Sequence, residues 1–435
     1  MISKFREWGD FVGAVKRKIS KTLLTMSVVI LLIVLCYILL VNWSNRMISE
    51  KPYKNDKEAT AYFIEKHYLL DDLSAGELLN QYSSPEAMVQ SLNDPYSTIL
   101  KPAEFKHAVE DLSGDYVGVG FEASKVKGEY LQILNVANGS PAMIAGLQVG
   151  DQITKIDEKN TMDMSREETL SLIKGEVGKK ISFDVTRNNK NYKVDLILNK
   201  IESSVVNYAM LSDSIGYLSL KQFPMMIYKE ISQAIKRMQE KHMESLILDL
   251  RGNQGGEIEE VAMIASLLLG EDITEFFKVN HKTNEPTIYN RTKDSLFCGP
   301  IYILVNEDTA SAAELLTQVL QNANGATVIG EKTFGKGISQ SFFYFDSGNI
   351  LKLTTGEFFV PNMESFHGKG IMPDYVIEMD NRLVSSSFLN RSKSEWNLYL
   401  KGIKSIFIEQ YGKESADKQL AQGDIQLKEA MNMAQ

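Results

Sequence analysis

The residues best suited to chemistry lie in three short segments in the second half of the chain. Ser311 follows a polar turn within residues 306–314 and precedes a helical pattern, so it could be a nucleophile at a helix start. Lys336 lies between two glycines, and its amine could act as the base for that serine. The glycine-rich turn 249–256 could supply backbone N–H groups for an oxyanion. Together these segments predict a serine hydrolase that does not use histidine.

Ser311 and the glycines each have a plainer interpretation. Serine is a good N-cap, so Ser311 could merely cap the helix that it opens. As a nucleophile it would be helped by the N–H of Ala312, which lies at the positive end of that helix. Gly255 and Gly256 follow a strand and precede a helix, a placement that also suits phosphate. No Gly-Lys-Ser/Thr sequence follows them, so an oxyanion role for the N–H of either glycine fits better.

Lys336 must lose its charge before it can act as a base. An ordinary lysine has a pKa of about 10.4, so only about one molecule in 10³ is unprotonated at neutral pH. A drop of about 3 units corresponds to roughly 4 kcal/mol, which burial can supply. Gln340, four residues further on, would lie on the same side of a strand or helix and could orient the amine. The plainer interpretation is an exposed lysine, but apolar residues surround it in the sequence: Phe334, Ile338, Phe342 and Phe343.

The histidines argue against a Ser-His-Asp triad and against a metal site. None of the five lies in a nucleophile elbow or in a ligand pattern such as His-Glu-x-x-His. The sequence therefore predicts no metal and no cofactor. A net charge of −9 gives no electrostatic case for a nucleic-acid partner. The histidines are His67, His107, His242, His281 and His367.

The N-terminal region predicts a membrane anchor. Residues 23–41 carry no charge, and at about 1.5 Å per residue a helix of that length crosses a hydrocarbon core of roughly 30 Å. Basic residues are concentrated before this segment, which predicts a cytoplasmic tail at 1–22 and a large extracytoplasmic part. A cleaved signal peptide is the alternative, but no Ala-x-Ala-like site follows. Cys36 lies within the span and Cys298 far outside it, so no disulfide is expected.

Changes in composition and in hydrophobic pattern along the chain predict its domains. A stalk and a helical region extend over 42–112, with a helix start at the Ser-Pro-Glu of 84–86. Five short strands and two helices in 113–201 predict a small α+β module. Strands then alternate with helices over 202–380, which predicts an α/β core with a mostly parallel sheet and a polar insertion at 278–293. Residues 381–435 are helical and charged.

The small module contains a candidate peptide site. Gly118, Val119, Gly120 and Phe121 offer consecutive N–H groups beside a strand edge. Such a nest suits the terminal carboxylate of a peptide that adds to the sheet as an extra strand. A tight turn in a small barrel is the plainer interpretation.

The order of these motifs resembles the carboxyl-terminal processing peptidases, or tail-specific proteases, of the PDZ-containing Ser-Lys type. The Asp-Pro-Tyr-Ser of 94–97 resembles a box before the PDZ domain, and 139–151 resembles the PDZ core motif. The segments 249–256, 309–314, 331–337 and 368–374 match the catalytic-domain motifs in order. The resemblance extends from about residue 85 to residue 380.

The resemblance implies a ClpP/crotonase-like core with an inserted PDZ domain. Ser311 would be the nucleophile, Lys336 the general base and Gln340 the residue that orients Lys336. Ala312, with Gly255 or Gly256, would form the oxyanion hole. Residues that match supporting positions are Glu314 and Thr333. The nest at 118–121 would hold a substrate's C-terminus and would gate access to the site.

Two departures limit what the resemblance carries over. After residue 361 the chain has Asn-Met-Glu-Ser where the family usually has Ser-Gly-Arg-Ser, so the surface near the substrate could differ. An insertion at 382–422 makes it unsafe to carry over a homodimer arrangement. We therefore predict a membrane-anchored serine endopeptidase that binds exposed C-termini of extracytoplasmic proteins. The alternatives are a catalytically idle PDZ adaptor and, less favoured, an acyl-CoA-handling enzyme of the crotonase-like core.

Overall fold

The computed structural model describes nine stretches of the chain. They are residues 52–106, 115–125, 128–137, 139–202, 205–269, 276–279, 287–289, 295–384 and 393–435. The predicted cytoplasmic tail 1–22 and transmembrane segment 23–41 lie outside these stretches. Across the described stretches, no helix combines the length and apolar character that a membrane crossing requires.

The N-terminal region contains three helices and one short strand: α1 (Asp56–His67), α2 (Ala75–Gln81), α3 (Pro85–Ser91) and β1 (Thr98–Leu100). The helix start predicted at 84–86 is confirmed, because the Ser84 side chain accepts a hydrogen bond from the N–H of Ala87 and Pro85 is the first helical residue. The apolar faces of these helices bury Ile64 and Met88 completely. They pack against Leu351 of a strand far along the chain, which fixes this region to the catalytic core.

The predicted small module is a six-stranded antiparallel sheet, one short strand more than expected, with two helices. The run 116–121, whose pattern is that of one of the five expected strands, is in fact two strands, because Gly120 has a φ of 80° and breaks the extended run. The first of the two pairs with β9 instead of joining the module's sheet. The elements are β2 (Asp115–Gly118), β3 (Phe121–Ser124), β4 (Leu131–Val136), α4 (Pro141–Ile144), β5 (Gln152–Ile156), β6 (Lys159–Asn160), α5 (Arg166–Ile173), β7 (Lys180–Arg187), β8 (Lys190–Ile197) and β9 (Asn199–Glu202).

The catalytic core is built on a six-stranded sheet whose strand order is β10-β11-β12-β15-β16-β19. All its pairs are parallel except β10 with β11, so the prediction of a mostly parallel sheet is confirmed. The strands are short apolar runs covered by amphipathic helices, as βαβ units require. Its elements are β10 (Val206–Met210), β11 (Ile215–Leu220), α6 (Tyr228–Gln239), β12 (Ser245–Asp249), α7 (Ile258–Leu268), β15 (Ile301–Val305), α8 (Ala312–Asn324), β16 (Thr327–Gly330) and β19 (Tyr375–Val376).

A second, antiparallel sheet lies beside the first and joins distant parts of the chain. It contains β1 together with β13 (Phe276–Val279), β14 (Thr287–Tyr289), β17 (Ile338–Tyr344) and β18 (Ile350–Phe359). The segment 278–293, predicted to be a polar insertion, contributes to short strands where the structure describes it, since β13 pairs with β18 and β14 pairs with β13. The remainder of that segment lies outside the described residues.

The C-terminal region forms α9 (Lys393–Tyr411), α10 (Lys413–Gln422) and α11 (Ile425–Met433). The insertion at 382–422 contributes α9 and α10, and α9 packs on the PDZ-like module through a cluster that joins Phe407 to Leu134 of β4. Helix α11 instead covers the parallel sheet, where Leu427 packs against Tyr217 and Ile247.

Candidate active site

Three neighbouring parallel strands carry the three predicted catalytic segments at their carboxyl ends. Strand β12 leads into the glycine turn, β15 into the turn before Ser311, and β16 into the loop that holds Lys336. These strands are adjacent in the sheet, so their loops meet at one edge. Thr309 donates a hydrogen bond to the carbonyl of Leu250 at 2.9 Å, and the N–H of Ala310 donates to the carbonyl of Asn253 at 2.9 Å. The first two loops are thereby tied together.

Ser311 stands on a strained backbone directly before helix α8. Its φ is 57°, a conformation that costs a non-glycine residue on the order of 1–3 kcal/mol and is concentrated at functional sites. The glycine turn approaches it closely, because a Cβ on Gly255 would lie 2.8 Å from the Cβ of Ser311. Only glycine can occupy that position without displacing the serine. The sharp turn therefore raises Ser311 out of the strand and leaves it partly exposed.

Glu314 links the serine to the lysine loop. This fully buried carboxylate accepts hydrogen bonds from the N–H of Ser311 at 2.9 Å, of Gly335 at 2.7 Å and of Lys336 at 2.8 Å. The hydroxyl of Thr333 donates a fourth, at 2.5 Å. Burial raises the pKa of Glu314, while these four hydrogen bonds work to lower it. Glu314 and Thr333, the residues predicted to support the site, thus tie the loop of Ser311 to the loop of Lys336.

Two backbone N–H groups have no acceptor among the described residues: that of Ala312, which follows the serine, and that of Gly256, which lines the same cavity as Ser311. No hydrogen bond from the N–H of Ala312 or of Gly256 to any described residue is present. The N–H of Gly255 is used, since it donates to Oδ1 of Asn253 at 2.8 Å. The geometry therefore favours Gly256 over Gly255 as the partner of Ala312 in an oxyanion hole. The sequence alone left this choice open.

Lys336 is partly buried in the wall of a cavity of about 440 Å³ that Ser311 also lines. Burial lowers the pKa of Lys336, the positive charge of Lys352 lowers it further, and Asp94 opposes both. Two of the expected apolar neighbours, Ile338 and Phe342, do line this cavity. The other two do not line it. Phe334 is 58% exposed, and the ring of Phe343 stacks on Phe63 in the N-terminal region.

The two reactive side chains share the cavity but are not hydrogen-bonded to each other. Within the described part of the chain, no hydrogen bond joins the hydroxyl of Ser311 to the amine of Lys336, a looseness common in enzymes without substrate. Gln340 lines the same cavity, and its amide donates to Oγ1 of Thr354 at 3.4 Å instead of contacting Lys336. The orienting role of Gln340 stays a prediction.

Tyr96 is a site residue that the sequence did not identify. It belongs to the Asp-Pro-Tyr-Ser segment, which sequence comparison marked only as a box before the PDZ domain. In the structure, the amine of Lys336 lies 4.8 Å from the centre of the Tyr96 ring. A link of this kind, between segments about 240 residues apart, has no local sequence signal.

A buried ionic network supports the glycine turn from below. Arg251 is 1% exposed and donates to Asp249 from Nε at 2.9 Å and from Nη2 at 2.7 Å. It also donates to Asp424, at the start of helix α11, from Nη1 at 2.8 Å and from Nη2 at 3.0 Å. Burial works to raise the pKa of Asp249, but the charge and hydrogen bonds of Arg251 outweigh it and lower that pKa to about 2. Asp424, at the start of helix α11, thus anchors the glycine turn through Arg251.

The residues of the predicted peptide nest form the turn between β2 and β3. Within the described residues, the N–H groups of Val119 and Gly120 have no hydrogen-bond acceptor, whereas both carbonyls are used. A Cβ on Gly120 would lie 2.2 Å from the Cβ of Ser140, so the turn requires glycine there. Gly118 ends β2 and Phe121 begins β3, which puts the nest at the entry to a strand.

The core sheet is mostly parallel and carries a serine, a lysine and free N–H groups at one edge. With the small antiparallel module beside it, this arrangement defines a PDZ-bearing serine hydrolase. Comparison with family models agrees, since the PDZ domain model matches residues 132–187 and the model of peptidase family S41 matches residues 214–377.

Comparison with individual known proteins identifies more specific relatives of the chain. It is 32% identical over 296 residues to the carboxy-terminal processing protease CtpA of Bacillus subtilis (strain 168), covering 68% of this chain and 63% of that one. It is 33% identical over 304 residues to the carboxyl-terminal-processing protease of Synechocystis sp. (strain PCC 6803), covering 68% and 71%. The solved photosystem II D1 C-terminal processing protease shares the fold, with a TM-score of 0.52 at 22% identity over 74% of this chain and 92% of that one.

The chain therefore belongs to peptidase family S41. The predicted resemblance to PDZ-containing carboxyl-terminal processing peptidases and the predicted enzyme class, a serine-type peptidase, are both confirmed.

Proposed function

We propose that this chain is a membrane-anchored serine endopeptidase that binds the C-terminus of an extracytoplasmic protein through its PDZ domain and cleaves the protein nearby. The observation that carries the proposal is the shared cavity. It brings Ser311 and Lys336 together beside the N–H groups of Ala312 and Gly256. The mostly parallel core that holds this cavity is consistent with a ClpP/crotonase-like type, which is part of the proposal.

The cavity supports an acyl-enzyme mechanism. Neutral Lys336 takes the proton of Ser311 as the serine oxygen attacks the scissile carbonyl. The resulting oxyanion accepts hydrogen bonds from the N–H groups of Ala312 and Gly256. The tetrahedral intermediate breaks its C–N bond, and Lys336 returns the proton to the leaving amine. Water then attacks the ester with Lys336 again as base, and Ser311 recovers its proton as the acid product leaves. Gln340 would orient the amine once Lys336 turns toward the serine.

The electrostatics favour a neutral amine in this cavity. Burial and the charge of Lys352 both lower the pKa of Lys336. Activity should therefore rise with pH as Lys336 loses its proton, and a rate that stays flat from about pH 5 to 9 with chemistry limiting would contradict the mechanism.

The PDZ domain supports selection of the substrate by its tail. The unpaired N–H groups of Val119 and Gly120 suit a terminal carboxylate, and the strand that follows could pair with the residues before it. The uncharged segment 23–41, with basic residues before it, supports an anchor that leaves this domain and the core outside the cytoplasmic membrane. Alkaline extraction of membranes tests the anchor, and protease digestion of intact cells tests the orientation.

The central test compares the full chain in detergent with its Ser311→Ala and Lys336→Ala variants, using fluorescein-labelled β-casein as an unstructured substrate. Both variants should lose cleavage while keeping the fold, whereas the exposed Lys404→Ala should cleave normally. Mass spectrometry of the new termini locates the cleavage sites. Cleavage by Ser311→Ala would refute the mechanism, and tail binding by a wild type that never cleaves would favour the adaptor.

A further inference from the structure

Tyr96 presents the face of its ring to the amine of Lys336. The distance of 4.8 Å between Nζ and the ring centre is within the range in which a cation is attracted by an aromatic quadrupole. Tyr96 comes from the N-terminal region, which the peptidase family model at 214–377 does not include. The amine therefore meets a group that neither the core sheet nor the PDZ domain supplies.

The segment that carries Tyr96 is held rigidly from both sides. Buried Asp94 accepts hydrogen bonds from the N–H of Tyr96 at 2.9 Å and from the hydroxyl of Ser97 at 2.5 Å. The oxygen of Ser97 in turn accepts the N–H of Thr354 at 3.0 Å, which ties the segment to β18. Thr354 also accepts the amide of Gln340. The ring is thus fixed in relation to two walls of the catalytic cavity.

The amine has little other support for its charge. Within the described residues, no hydrogen-bond acceptor contacts Nζ of Lys336. Of the charged groups around it, Lys352 repels the ammonium and Asp94 attracts it. Glu314 is committed to the backbone N–H of Lys336, and two further carboxylates, Glu257 and Glu259, line the cavity. The Tyr96 ring, 4.8 Å from Nζ, therefore offers the ammonium an attraction that no hydrogen-bond acceptor of the described residues supplies.

We propose that Tyr96 is a positioning residue for Lys336: its ring face holds the amine inside the cavity and favours its protonated form. This inference rests on the proposed role of Lys336 as the base. Burial, Asp94 and Glu314 all raise the pKa of Tyr96, so the phenol stays neutral and meets the amine through its ring face. The amine releases its proton against the attraction of the ring, so Tyr96 sets the pH at which the enzyme becomes active.

The ring's quadrupole can be varied without changing its shape. Tyr96→Phe keeps the ring face and removes only the hydroxyl, whereas pentafluorophenylalanine at position 96 reverses the quadrupole at nearly the same volume. A cation–π contact of ordinary strength corresponds to a shift of about 0.5–1 pH unit in the acid limb of activity. We expect the acid limb of Tyr96→Phe to coincide with the wild-type limb. The acid limb of the pentafluoro variant should lie about 0.5–1 pH unit lower.

The experiment measures kcat/KM from pH 5 to 10 on fluorescein-labelled β-casein for the full chain in detergent. Tyr96→Leu, which lacks the ring, serves as a second variant, and circular dichroism confirms that each variant is folded. The proposal is supported if the acid limb lies at a lower pH in each variant whose ring has a lower electron density than that of the wild type. Identical limbs in all ring variants would overturn it, whereas a wild type without an acid limb would instead overturn the proposed role of Lys336.

Discussion

Replacing Asp424 by alanine removes one of the two carboxylates that neutralise the buried guanidinium of Arg251. Two hydrogen bonds to Arg251 are lost, and so is the cap of helix α11, in which Asp424 accepts the N–H of Leu427 at 3.0 Å. Breaking a buried pair by removing one partner typically costs about 3–5 kcal/mol, and losing an N-cap about 1 kcal/mol. Asp249 remains as a partner, so we expect a loss of about 3–5 kcal/mol in the free energy of unfolding of the core.

Asp424→Asn separates charge from shape. Asparagine keeps the cap and one acceptor oxygen, so its cost should be lower, about 1–3 kcal/mol. The matched control is Asp417→Ala, which removes the same charge from the preceding helix, where the ion pair with Lys404 is solvent-exposed. That change should leave stability unaltered.

Amide hydrogen exchange during a urea titration is the suitable assay, because it isolates the catalytic core from the PDZ domain. Protection of residues 245–256 should fall in the order wild type, Asn, Ala. If Asp424→Ala lowers the free energy of opening by less than about 1 kcal/mol and leaves that protection unchanged, the guanidinium does not depend on Asp424. The attribution of a turn-anchoring role to the tail would then be wrong.

Three further predictions test other parts of the structure. The pKa of Asp249 is lowered to about 2, so its ionised form stabilises the fold at neutral pH. This contribution is lost as pH falls from about 4 toward 2, where near-UV circular dichroism should show acid unfolding. A core that stays intact at about pH 2 would contradict this prediction. Glu314→Gln places an amide NH₂ against at least one N–H donor, so kcat should fall at least about tenfold and the free energy of unfolding by about 1–3 kcal/mol; unchanged kcat and unchanged thermal melting would refute the register role. Gly120→Ala forces a Cβ onto Ser140, so titration calorimetry should show no binding of a peptide with a free C-terminus, while the core melts normally.

Sequence patterns predicted well the elements that are determined by interactions between residues close together in the sequence. The cap at Ser84 and the helices of the charged C-terminal region depend on neighbours a few residues away, and both are confirmed within the described residues. The alternation of apolar strands and amphipathic helices likewise predicted the parallel sheet. Family motifs then identified Ser311 and Lys336 as members of one site, and the structure places both at one cavity.

The features that the sequence did not predict depend on contacts between distant segments. The hydrogen bond from Thr354 to Ser97 spans 257 positions, and the one from Arg251 to Asp424 spans 173. Neither has a periodic or motif signal, so Tyr96 and Asp424 were not recognised as parts of the site. The choice between Gly255 and Gly256 depended on where the Asn253 side chain points, which only coordinates can decide.

The salt link between Arg251 and Asp424 also orders events during translation. A nascent chain that has reached the catalytic serine still lacks the carboxylate that secures the oxyanion turn, because that carboxylate is added 113 residues after Ser311 (424 − 311). Ribosome-bound intermediates would thus hold a loosely formed, poorly active hydrolase. The turn beside Ser311 would gain its full support only after Asp424 has left the ribosome and paired with Arg251.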